Sequence, residues 1–175
     1  MTHQVIFLTP QEFKEKLKIY PLEGGIFSSS YGSLAFRRLD DFVCALAFAD
    51  QKPLDQWIYT QSYKESSFSL QKEDLKRPQK LMLVGTPFQH QVWQQLLKIP
   101  SGVVKFYKDI AVSLGDPKKC RAVGFAIGAN PVSWFVPCHR VLPKSGGVGN
   151  YHWGSEIKEK LLKEEGHVFK TDTKT

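Results

Sequence analysis

The sequence predicts a mixed α/β fold of the α+β kind, in which a small mixed domain with an antiparallel sheet precedes a mainly helical domain. Three observations predict it. Strand-like apolar runs occupy much of the first 50 residues, helix punctuation recurs after residue 85, and a polar, basic stretch containing Pro78 separates the two. With 175 residues and 42% hydrophobic content, the chain can bury a good core and suits one domain or two small ones. The boundary is expected at 80, giving domains 1–80 and 81–175.

Taken in order, Pro10 to Leu17 reads as a short helix. Residues 25–36 and 42–48 read as strands around the polar turn 37–41. Residues 57–70 read as an amphipathic helix with a Ser-rich middle, and 72–80 as the linker. Thr86, Pro87 and Gln89 then supply an N-cap, a proline at the first helical position and a capping box. Phe88, Val92 and Leu96 follow at helical spacing until Ile99-Pro100-Ser101-Gly102. A second helix is expected over 107–114, closed by Gly115. A third restarts at Asp116-Pro117, with Cys120, Val123, Gly124 and Ile127 on one face, and ends before Asn130-Pro131. Two helices joined by so tight a Gly-Asp-Pro turn form a helix-turn-helix. Ser155 is the expected N-cap of a last helix, with Ile157, Leu161 and Leu162 inward and Gly166 stopping it.

The net charge of +7 belongs to the second half: residues 1–80 hold 11 Lys and Arg against 10 Asp and Glu, which leaves 13 against 7 for the rest. Lys118, Lys119 and Arg121 stand at the start of the third helix among small residues, where charge meets phosphate and a lean face allows close approach to a groove. A polyanion such as nucleic acid fits that half. No apolar run approaches the ~20 residues of a membrane span, and the N-terminus lacks a secretory pattern. Three scattered cysteines, Cys44, Cys120 and Cys138, argue against a disulfide framework and a cysteine-based zinc site. A reducing cytoplasm is the expected home, or the nucleus in a eukaryote.

The chemistry is expected at Pro137-Cys138-His139-Arg140-Val141, which ends the apolar stretch 132–136. Pro137 cannot donate to a ladder, so an extended run should stop there and leave the thiol at a turn. An adjacent imidazole, with Arg140, favours the reactive thiolate. Neighbouring side chains diverge in extended backbone, so His139 reaches Cys138 through a turn or a bridging water. Taken alone, a Cys-His pair is more often a buried structural cysteine beside a hydrogen-bonded histidine.

Together these residues resemble the O6-alkylguanine-DNA alkyltransferases, the methylated-DNA–protein-cysteine methyltransferases. The likeness runs from Gly85 to about Val168 through Gly85-Thr86-Pro87-Phe88, Val92-Trp93, Ile99-Pro100-Ser101-Gly102, Tyr107, Arg121-Ala122-Val123-Gly124, Asn130-Pro131, Pro137-Cys138-His139-Arg140-Val141, Gly149-Asn150-Tyr151, Leu161-Leu162 and Glu165-Gly166. The resemblance implies a ribonuclease H-like N-terminal domain and a winged-helix-like C-terminal one. It also implies a monomer without cofactor or metal that binds double-stranded DNA through the minor groove. Its substrate would be O6-alkylguanine, with O4-alkylthymine beside it, flipped from the stack at a cost of a few kcal/mol. Cys138 would take the alkyl group for good, His139 would take the thiol proton through water, and Glu165 would orient His139.

Arg121 would enter the stack in place of the departed base, and Tyr107 would crowd the phosphate. Cys120, Ala122 and Gly124, with Lys118 and Lys119, would touch the DNA. Asn130 would brace the helix-turn-helix against the active-site loop, Tyr151 would hydrogen-bond the guanine, and the backbone at Val148 and Cys138 would hold its other edge. Ser133, Trp134, His152 and Trp153 would complete the pocket, with Ser133, His152 and Trp153 as departures that narrow it against a benzyl group. A lesion-binding relative with tryptophan in place of the cysteine, a helix-turn-helix transcription factor and a cysteine hydrolase are the competing readings. Cys138 speaks against the first, strong sequence preference would mark the second, and repeated turnover without DNA the third.

Overall fold

The computed structural model describes residues 2–51, 54, 58, 60–66, 70 and 72–169. The chain opens with β1 (Gln4–Leu8) and α1 (Pro10–Leu17), followed by β2 (Leu22–Ser29), β3 (Gly32–Leu39), β4 (Phe42–Phe48), the two-residue β5 (Lys64–Glu65) and β6 (Lys80–Val84). These strands form one sheet in the order β1-β6-β4-β3-β2-β5. Only β2, β3 and β4 pair antiparallel. β6 runs parallel to both β1 and β4, and β5 runs parallel to β2. The sheet is therefore mixed rather than antiparallel, because the long excursion between β4 and β6 supplies the crossover that parallel neighbours require.

Three expectations change in this half. The run 25–36 is two strands, since the chain reverses at Ser30 and Tyr31. Ser29 Oγ accepts from Tyr31 N at 3.1 Å and donates to Gly32 O at 2.8 Å, while Gly32 takes φ +94°. In the span 57–70, Lys64 and Glu65 are extended and pair with Glu23 and Gly24, so these residues are not helical; Trp57, Tyr59 and residues 67–69 lie outside the described residues. The segment 72–80 is packed rather than a free linker. A 3-10 turn over Lys72–Lys76 buries Leu75, and Gln79 N donates to His3 Nδ1 at 3.0 Å. Sequence reasoning assigned no element to Val5 to Leu8, which lie in β1 and pair with Leu81 to Val84.

The second half follows its punctuation closely. In α2 (Pro87–Leu96) Thr86 Oγ1 accepts from Gln89 N at 3.3 Å and Gln89 Oε1 accepts from Thr86 N at 2.8 Å, which completes the capping box. Then come β7 (Lys105–Phe106), α3 (Tyr107–Ser113), a 3-10 turn over Pro117–Lys119, α4 (Cys120–Gly128), β8 (Val141–Leu142), paired with β7, and α5 (Ser155–Glu164). Trp93, fully buried, donates from Nε1 to Ala126 O at 2.8 Å and so ties α2 to α4. The cap of α5 is Gly154 at φ +96° rather than Ser155, which enters the first turn.

One apolar cluster runs through both halves, from Phe13 and Leu46 to Trp93, Val136 and Leu161. The join is specific. Leu46 in β4 donates to Pro131 O at 2.9 Å and accepts from Ser133 N at 2.9 Å, so the segment before Cys138 is fastened to the sheet.

Candidate active site and nucleic-acid interface

The apolar stretch 132–136 is a buried turn, not a strand. Val136 N donates to Val132 O at 3.1 Å and Trp134 sits at φ +75°. Its apolarity reflects packing on β4, since Val132, Phe135 and Val136 are buried. Asn130 holds the turn from inside, donating from Nδ2 to Val136 O at 2.9 Å and accepting at Oδ1 from Val132 N at 3.0 Å. This amide links the end of α4 to the turn that leads into Cys138. Pro137, at φ −79° and ψ 65°, then forms an inverse γ-turn closed by Cys138 N to Val136 O at 2.8 Å, and a 3-10 turn runs over Cys138–Arg140.

Cys138 lies at the floor of a cavity of about 240 Å³ lined by Tyr107, Asn130, Ser133, Asn150, Tyr151, His152, Trp153 and Lys158, with Gly124, Ile127 and Gly128 of α4. Its thiol donates to Tyr151 Oη at 3.5 Å. Burial, reinforced by the sulfur, raises the Tyr151 phenol well above its ordinary range; Tyr107 is raised for the same reasons. Both phenols therefore stay protonated and can donate. Trp153 donates to Ser133 Oγ at 2.6 Å, which locks one wall.

His139 is buried, and its Nε2 lies 3.1 Å from Glu165 Oε1. A carboxylate only accepts, so Nε2 carries the proton and the lone pair sits on Nδ1, which is buried without a protein partner. Burial lowers the His139 pKa against the pull of Glu165, so the ring is neutral at neutral pH and able to take a proton. Burial alone would raise the Glu165 pKa, but hydrogen bonds from His139 and Arg140 outweigh it and hold the carboxyl at about 2. Arg140 does not face the sulfur as the sequence led one to expect. Its Nη2 donates to Glu165 Oε1 at 2.6 Å, its Nε to Oε2 at 3.0 Å, and its Nη1 to Ile99 O at 2.6 Å.

Sequence reasoning missed Lys158. Its Nζ, at the cavity wall, donates to Val141 O at 2.7 Å and more weakly to Asn150 O at 3.4 Å. Burial pulls its pKa down to about 8 although Cys138 opposes the shift. The readable signal was a lysine on the buried face of α5 beside Ile157, Leu161 and Leu162. Trp134 and Val148 lie outside the cavity lining. Trp134 points instead into a second cleft that it shares with Tyr31, and donates to Leu75 O at 2.9 Å. Among the described residues no group of His, Cys, Asp or Glu converges to hold a metal ion, and no helix is long and apolar enough to cross a membrane.

The outer face of α4 and of the turn before it is basic. Lys118, Lys119, Arg121 and Ala122 are exposed, and Cys120 is half-buried with its Sγ 3.2 Å from Pro117 O. Gly124 stands against Tyr107, so this face and the cavity of Cys138 adjoin.

Residues 87–167 match the family model described as the DNA-binding domain of 6-O-methylguanine DNA methyltransferase. The chain is 46% identical over 102 residues to a methylated-DNA–protein-cysteine methyltransferase of Lodderomyces elongisporus, covering 58% of this chain and 51% of that protein. It is 51% identical over 84 residues to the protein of that name from Salmonella typhimurium, covering 48% and 49%. The chain thus spans about half the length of these curated relatives. Among solved structures, Mycobacterium tuberculosis OGT in complex with DNA superposes with a TM-score of 0.71 at 30% identity over 82% of this chain and 93% of that one.

Proposed function

We propose, from the premise that this chain belongs to the methylated-DNA–protein-cysteine methyltransferase family, that it is a DNA repair protein which moves an alkyl group from O6 of guanine irreversibly onto Cys138. The observation that carries this reading is the cysteine at the floor of a cavity that opens beside a basic helix, backed by the His139–Glu165–Arg140 chain. Such a cavity is reached from duplex DNA only by a nucleotide turned out of the stack.

In the proposed reaction the thiol proton passes through one water to His139 Nδ1, and the thiolate attacks the alkyl carbon. The S–C bond forms as the C–O bond breaks, the Tyr151 hydroxyl donates a hydrogen bond to the departing base, and the proton that His139 took returns through water so that the base leaves as neutral guanine. Glu165 keeps the imidazole in the Nε2–H tautomer, and the Lys158 ammonium stabilises negative charge on sulfur. A thioether is not hydrolysed, so each molecule acts once. Arg121 fills the place of the extruded base, Lys118 and Lys119 contact phosphates, and Cys120, Ala122 and Gly124 approach the minor groove. O4-alkylthymine is the second proposed substrate, and a monomer acting in cytoplasm or nucleus is the proposed state.

Incubation with duplex containing O6-methylguanine is expected to add one methyl to the intact mass, placed on Cys138 by peptide mass and absent from Cys138→Ala. An unmodified Cys138 after the lesion has been repaired would overturn the assignment.

A further inference from the structure

Phe125 is 75% exposed, the most exposed aromatic ring among the described residues, yet it stands on the helix that carries the basic residues. At 100° per residue Arg121, Gly124, Phe125 and Gly128 fall within a stripe about 100° wide. Val123, Ala126 and Ile127, the buried residues of α4, occupy the opposite side. Gly124 and Gly128 line the cavity of Cys138. The exposed ring therefore stands beside the residues that line that cavity, one helical turn after Arg121 and between two positions without side chains. Lys118 and Lys119 make the surroundings positive and exposed, which complements a polyanion and disfavours a second copy of the same basic face.

Resting on the function proposed above, we infer that Phe125 is a second DNA-contacting side chain. Its ring packs on the sugar and base edge of the nucleotide flanking the one drawn into the cavity. The glycines on either side let the backbone come close to the groove, while the ring covers the groove edge of the base beside the gap, an apolar contact of the kind that minor-groove binders use. Arg121 and Phe125 then have separate roles, in which the guanidinium occupies the gap and the phenyl ring caps its edge.

The test compares wild type, Phe125→Ser and Phe125→Trp for affinity to a duplex with one O6-methylguanine over a range of salt. Unfolding midpoints confirm that a substitution at this exposed position leaves the fold intact. Phe125→Ser is expected to bind about fivefold to tenfold more weakly, with an unchanged slope of log affinity on log salt, because no phosphate contact is lost. Phe125→Trp is expected to restore affinity. Wild-type affinity of Phe125→Ser would overturn the inference. So would loss of self-association in that variant without loss of DNA binding, since the ring would then join copies of the chain. Methylation of Cys138 by the same duplex separates the two readings. Methylated wild type together with undiminished binding by Phe125→Ser overturns the Phe125 contact alone, whereas wild type that is never methylated overturns the function and this inference with it.

Discussion

At the residue scale, Glu165 gathers the chemistry. It takes His139 on one oxygen and the Arg140 guanidinium across both, so the carboxylate orients the base and is itself held. Glu165→Gln removes the negative charge that holds Arg140 and favours a protonated His139, and is expected to slow methyl transfer roughly a hundredfold, the scale of a lost acid–base contribution. Single-turnover rates would show it. The same group gives a pH signature. Its folded pKa, about 2, lies below the ordinary 4.5, so its stabilisation is whole above 4.5 and drains away as pH falls toward 2. His139 acts in the same sense, because a ring buried neutral favours unfolding once the pH falls below its ordinary 6.5. Acid unfolding of Glu165→Gln should lose the part of this slope that lies between 4.5 and 2; an unchanged titration of stability would contradict the assigned coupling. Lys158 predicts the alkaline side. Its charge is lost as pH rises through about 8, so Lys158→Met is expected to react about tenfold more slowly at neutral pH and to lack the decline that wild type shows above 8. The Cys138, His139 and Glu165 positions were legible because they carry the family pattern, whereas Lys158 was hidden among apolar neighbours in sequence.

At the element scale, the turn 130–137 is what delivers the sulfur. Asn130→Ala strands a buried N–H at Val132 and leaves Val136 O with only the γ-turn bond from Cys138 N, an expected loss of about 1–3 kcal/mol readable in denaturant unfolding. The sequence marked Pro137 correctly as the break. The extended reading of 132–136 failed because a short run of buried apolar residues looks alike whether its backbone pairs in a ladder or folds on itself around an asparagine. The helices were readable for the opposite reason: Thr86, Pro87, Gln89, Gly115 and Asp116 act on their own neighbours, within a turn. On α4, Arg121→Ala is expected to slow repair of duplex more than reaction with free O6-methylguanine, and equal slowing would remove its place in the stack.

At the scale of the whole molecule, the two halves share one core and a backbone seam. Leu46 in β4 pairs with Pro131 and Ser133, the rings of Phe48 and Trp153 lie 6.2 Å apart, and Tyr31 at the β2–β3 turn reaches Glu164 in α5. A fragment starting at residue 81 would break β6 from its neighbours and expose the floor of the site. It is expected to lose the cooperative unfolding transition of the full chain, checked by circular dichroism during thermal unfolding. The narrowed wall that Trp153 and Ser133 lock together predicts poor reaction with free benzylguanine relative to methylguanine in DNA, and equal rates would contradict it. By itself the sequence determined the helices of the second half, the cap of α2, the basic sign of that half and the place of the candidate thiol, because each is written in neighbouring residues. The direction of the strands, the turn at 132–136, the partner of Arg140 and the burial of Lys158 were decided only in three dimensions, because each depends on groups brought together from distant parts of the chain.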